Sequence, residues 1–147
     1  MSGAIEQAQQ EIVQDFSRYD DWEERYAHII AVGKDHPDIP DEYKDDKYRV
    51  KGCMSTVYLH ARLEDGKVVY DATSDAMIVR GLIALLMKVY SGRTPEDILE
   101  NPPHFINDLG LTENLTQGRQ NGLKSMIEQI MLYAAALKAL AQTQRTN

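Results

Sequence analysis

The chain has 147 residues and a mass of 16.7 kDa, with 43% hydrophobic and 27% charged residues, enough for one compact domain and too little for two ordinary ones. A domain of this size stands on apolar burial alone, and a single cysteine excludes an internal disulfide and a multi-thiolate metal site. The net charge of -7 originates in residues 1–47, where 13 acids face 5 bases; the remainder holds 10 acids and 11 bases, without the basic, aromatic-interleaved stripe that nucleic-acid binding needs.

In chain order, Ile5, Ala8, Ile12, Val13 and Phe16 recur at helical spacing and predict an amino-terminal helix over 1–18. Asp20, with Glu23 three positions on, predicts the capped start of a second helix whose face is Trp22, Tyr26, Ile29, Ile30 and Gly33. The acidic stretch 35–47 has no periodicity and reads as a surface loop. The acidic excess of residues 1–47 fits a solvated helix face and loop, or alternatively a surface that steers a basic protein partner.

The period then changes to two, predicting a sheet over 48–71. Tyr48 to Lys51 reads as a short strand, Gly52 to Ser55 as a turn, and Val57, Leu59, Ala61 and Leu63 as an alternating strand. Asp65-Gly66 is a hairpin dipeptide, with Val68 and Tyr70 on the return strand. Ser74 predicts the cap of a helix that is apolar on more than one face from Ile78 to Val89 and stops at Gly92. Thr94-Pro95-Glu96-Asp97 opens a short helix ended by Pro102 and Pro103. Phe105, Ile106 and Leu109 suggest another, closed by Gly110, and a carboxy-terminal helix follows over 118–142. Strands that cluster rather than alternate with helices give an α+β class: a small three-stranded antiparallel sheet covered on one face by helices, in a single domain over 1–147. The longest apolar run, Leu82 to Met87, is far short of the roughly 20 residues that cross a bilayer. With no basic-then-apolar leader pattern, the expected compartment is the cytoplasm.

Cys53 is the first candidate for chemistry. It falls in the predicted turn, after Gly52 and close to Arg49 and Lys51, and nearby cations favour thiolate over thiol. The same residue types also fit an inert cysteine packed as a small hydrophobe. The four histidines, His28, His36, His60 and His104, show no ligand spacing, and no glycine-rich phosphate loop is present.

Three separated motifs resemble the SufE proteins of iron-sulfur cluster biogenesis. They are Gly52-Cys53-Met54-Ser55, then Ser74-Asp75-Ala76 with Ile78-Val79-Arg80-Gly81-Leu82, then Leu115-Thr116-Gln117-Gly118-Arg119 with Gly122-Leu123. The resemblance runs from Trp22 to the last helix and implies a SufE/IscU-like fold. It also implies a sulfur acceptor, with Cys53 taking the persulfide sulfur of a pyridoxal-phosphate-dependent cysteine desulfurase of the SufS/CsdA type. The acceptor stimulates that enzyme and delivers the sulfur to an iron-sulfur scaffold complex of the SufBCD type. The desulfurase holds the cofactor, so none is expected on this chain, nor a metal.

By the same matching, Arg119 and Asp75 lie near the acceptor loop, with Gly52, Ser55, Arg49 and Lys51 in support. Tyr58 stands where the family has Trp, a departure that bears on how the cysteine is sheltered and on partner affinity. One thiol suffices for such a carrier, because a second would resolve the persulfide to a disulfide. The turn lets the thiol swing between a sheltered and an exposed position. The alternative is an independent thiol enzyme of peroxidase or hydrolase type, which needs a resolving cysteine or a positioned histidine.

Overall fold

Helix α3 (Met77–Tyr90) is apolar around nearly its whole circumference: only Met77, Arg80 and Lys88 escape burial, so the rest of the chain must enclose it. The computed structural model describes residues 3–146, with side chains to residue 143. Residues 1 and 2 of the helix predicted over 1–18, and residue 147, lie outside the described residues. Helix α1 (Gly3–Phe16) buries Ile5, Ala8, Ile12 and Phe16 in the core. Helix α2 (Trp22–Lys34) crosses α3 at backbone contact, because Gly33 and Gly81 face each other there. A Cβ on Gly33 would lie 2.6 Å from the Gly81 amide nitrogen, and one on Gly81 would lie 2.1 Å from the carbonyl oxygen of Ile29.

Strands β1 (Val57–Glu64) and β2 (Lys67–Ser74) form an antiparallel ladder from Val57 opposite Ser74 to Glu64 opposite Lys67. Asp65 and Gly66 close it with φ of +52° and +78°, the left-handed pair that a two-residue hairpin turn requires. Val57, Leu59, Val68, Tyr70 and Ala72 point inward. Against that face lie α3 and the carboxy-terminal helix α7 (Gln117–Thr146), tied on by the Tyr70 hydroxyl donating to Ile130 O (2.7 Å) and Tyr133 to Leu59 O (3.2 Å). On the outer face, Tyr43 stacks on the His60 ring at 3.8 Å and Tyr48 meets it edge-on, so the acidic loop folds back over the sheet.

The predicted third strand is corrected by the structure: among the described residues the sheet has two strands. Asp45 accepts a hydrogen bond from the Lys47 amide and starts a 3₁₀ turn over Asp46–Tyr48, so Tyr48 is committed to a turn and to the His60 ring. What remains of the strand is one bridge, Arg49 with Tyr58, and the Val50 amide donating to Val57 O at 2.8 Å. Two caps also move. Asp21, not Asp20, caps α2 by accepting from the Glu24 amide, and α3 starts after Ala76 without a side-chain cap, because Ser74 is the last residue of β2 and its oxygen reaches only the Ala76 amide (3.2 Å), ahead of the first turn.

Thr94 caps α4 (Pro95–Glu100) by accepting from the Asp97 amide, with Pro95 at the first helical position. The single turns α5 (Phe105–Asp108) and α6 (Leu111–Asn114) flank Gly110 at φ +75°. Gln9, fully buried on α1, fixes this region: its amide donates to Pro102 O (3.3 Å) and its carbonyl accepts from the Phe105 amide (3.0 Å). Gln9→Leu is expected to cost about 1–3 kcal/mol, since it strands a buried N–H. A lower urea midpoint at unchanged slope is the readout. Among the described residues, no helix is long and apolar enough to cross a membrane.

Candidate functional site

The segment between the Arg49 bridge and β1 carries the chain's one thiol. Val50 is buried and anchors its start. The chain turns at Gly52, where φ is +89°, a backbone conformation that favours glycine, and where an added Cβ would sit 2.6 Å from Ser125 Oγ of α7. Cys53 follows, half-buried, with its Sγ–H directed at Gly122 O of α7 (3.6 Å). Met54 is 88% exposed. The exit is fixed at Thr56: its carbonyl accepts from the Ser74 hydroxyl (2.8 Å) and the Asp75 amide (3.4 Å), and its amide donates to Asp75 Oδ1 (3.2 Å). Ser74 and Asp75 are thus spent on holding the loop.

Beneath Cys53 is a cavity of about 280 Å³, walled by the loop residues Met54 and Ser55, by Val79 and Leu82 of α3, and by Gly118, Arg119, Gly122, Leu123 and Met126 of α7. Thr116, whose hydroxyl accepts from the Arg119 amide (3.4 Å), lies at its edge. Burial pushes the thiol above its ordinary pKa, and the positive charge of Arg49 offsets this only in part. The residue types alone leave a cation-favoured thiolate and an inert packed cysteine both open, and burial here works against the thiolate. The deciding feature is the apolar floor, which a sequence does not display.

Of the residues singled out in the sequence, Cys53, Ser55 and Arg119 share this cavity, and Gly52 shapes the turn into it. Arg119 is exposed, and its guanidinium makes no hydrogen bond or ion pair among the described residues. Arg49 acts on the thiol through its charge. Lys51 is exposed and is not part of the cavity wall. Asp75 lines a neighbouring cavity with Lys34 and Arg80, and touches the site through Thr56.

Gly122, Met54 and the apolar wall were not singled out as site residues from the sequence. The four-residue spacing of Gly118 and Gly122 is the signal that could have marked one bare face of α7. No histidine lines the cavity. His28 pairs with Asp15, His36 with Ala72 O, His60 with Asp71, and His104 with Glu6 and Asp108. An independent thiol enzyme therefore has no imidazole base at this site among the described residues.

Residues 10–134 match the SufE family, described as the Fe-S metabolism associated domain. The chain belongs to the SufE family. It is 40% identical over 127 residues to an uncharacterized SufE-like protein of Synechocystis, a match covering 86% of this chain and 80% of the relative. An uncharacterized SufE-like protein of Rhizobium meliloti is 38% identical over 125 residues, covering 82% of this chain and 89% of that one. The solution structure of a hypothetical protein from Thermus thermophilus superposes with a TM-score of 0.73 at 26% identity, over 91% of this chain and 96% of that one. A SufE chain has a role in iron-sulfur metabolism.

Proposed function

We propose that this SufE chain is a sulfur acceptor and carrier. Cys53 takes the outer sulfur of a persulfide on a pyridoxal-phosphate-dependent cysteine desulfurase of the SufS/CsdA type, and the chain stimulates that enzyme. It then delivers the sulfur to an iron-sulfur scaffold complex of the SufBCD type, in the cytoplasm.

The observation that carries this reading is a single half-buried thiol on a loop that is clasped at both ends and set over an apolar cavity. In the transfer, the Cys53 thiol gives up its proton and the thiolate attacks the outer sulfur of the donor. A sulfur-sulfur bond forms at Cys53 while the donor's own breaks, the electron pair stays on the donor cysteine, and there is no net oxidation. Arg49 favours the attacking thiolate, and Arg119, at the cavity wall with no anionic partner among the described residues, is available to the anionic persulfide. The apolar walls keep water and stray thiols from the loaded sulfur. Asp75 and Gly52 set the loop's path, and Ser55 and Lys51 flank it.

Intact-mass spectrometry after incubation with a cognate desulfurase and cysteine tests the reading. The expected result is one added sulfur on the wild type and none on Cys53→Ser. An unmodified wild type under turnover overturns it.

A further inference from the structure

The loop meets α7 at consecutive residues. Cys53 lies against Gly122, where a Cβ would be 3.5 Å from Sγ, and Met54 lies against Gly118, one helical turn earlier, where a Cβ would be 2.3 Å from the Met54 Sδ, 3.5 Å from its Cγ and 3.9 Å from its Cε. The end of the Met54 side chain therefore rests across bare backbone that no other residue type would offer. Elsewhere the side chain is open to solvent, the most exposed large apolar residue described. A thioether suits such a seat, because it is unbranched and polarizable and adapts to a shallow surface.

We propose that Met54 is a positioning residue for Cys53: its thioether, seated on Gly118, helps hold the loop against α7 with the thiol turned to the cavity. The two ends of the loop are fixed by the Arg49–Tyr58 bridge and the Asp75–Thr56 clasp, so its middle is held by what it touches on α7. A partner that draws the exposed Met54 onto its own apolar surface removes that seat and brings Cys53 out with it. This deepens the sulfur-acceptor reading and rests on it for its purpose. The contact itself is a property of the free chain, so it is testable without any desulfurase.

The experiment is the rate of iodoacetamide alkylation of Cys53 in the full chain as a function of pH, for wild type, Met54→Ala, Gly118→Ala, the double variant, and Met77→Ala as an exposed methionine that does not line the Cys53 cavity. Gly118→Ala is accommodated by displacement of the flexible Met54 tip, so the fold is kept. Met54→Ala reaches the same state with α7 unchanged. Both are expected to react about three-fold faster, as exposing a few tens of Å² of apolar surface predicts, with a lower pH midpoint and an unchanged melting temperature. The double variant should be no faster than either single one, since both remove one contact. Met77→Ala should match the wild type. Wild-type rates in both single variants, or additive gains in the double, overturn the proposal, whereas failure of sulfur loading with these rates as expected counts against the acceptor reading alone.

Discussion

Replacing Gly81 with alanine is expected to destabilise the protein by about 3 kcal/mol, at the upper end for an overpacked core, and to lower its melting temperature by on the order of 10 °C. Helix propensity argues the other way, since alanine is favoured over glycine by about 1 kcal/mol inside a helix. The packing decides the sign. The new Cβ would lie 2.1 Å from Ile29 O and 2.5 Å from the Ile29 Cγ2, and a carbonyl in the middle of α2 cannot turn aside as a side-chain tip can. Either α2 separates from α3, uncovering the most buried helix in the molecule, or both helices bend. Thermal unfolding of the single variant settles the matter, and a raised melting temperature would show that the two helices do not touch as described.

Native Cys53 is expected to react with iodoacetamide several-fold more slowly at pH 7.5 than the same residue in the urea-unfolded chain. Two effects act in one direction. The sulfur is half-buried and directed at Gly122 O, and burial raises its pKa, so the native state holds a smaller thiolate fraction at any given pH below the midpoint. The pH midpoint of the native reaction should lie above that of the unfolded chain. Linkage fixes the companion effect. A thiol whose pKa is higher in the folded state binds more protons there, so its contribution to stability is complete below the unfolded value of about 8.5 and is lost as pH rises through the folded one. Arg49→Ala removes the opposing charge and should slow the reaction further. Equal rates for native and unfolded chains would mean that the loop is already open at rest.

The parts of the fold that could be read from the sequence are those set by neighbours along the chain. Thr94 and Pro95 open α4 because capping and a fixed φ act within one turn, and Asp65-Gly66 closes the hairpin because only such a pair adopts two positive φ angles cheaply. The apolar circumference of α3 announced its central place. The misread parts depend on competition between distant groups. Ser74 has the chemistry of a helix cap, yet pairing opposite Val57 keeps it in β2, so its oxygen reaches the Ala76 amide rather than the first turn of α3, while its hydroxyl donates to Thr56 O. Tyr48 looked like strand because the pull of the His60 ring and of the Asp45 turn lies outside any local window.

The site divides in the same way. Gly52 and Cys53 stand out because a positive-φ glycine beside a lone thiol is a local pattern. The cavity wall that raises the thiol pKa comes from Val79, Leu82, Leu123 and Met126, residues of two helices that only the folded chain brings together.

The two clasps that bound the Cys53 loop separate its opening from the melting of the core. Residues 51–55 hang between the Arg49 bridge and Asp75, while α3 is sealed by α1, α2 and the sheet. Loosening of residues 51–55 can therefore proceed while α3 stays enclosed, although Val79, Leu82, Leu123 and Met126 belong to both the core and the wall beneath Cys53.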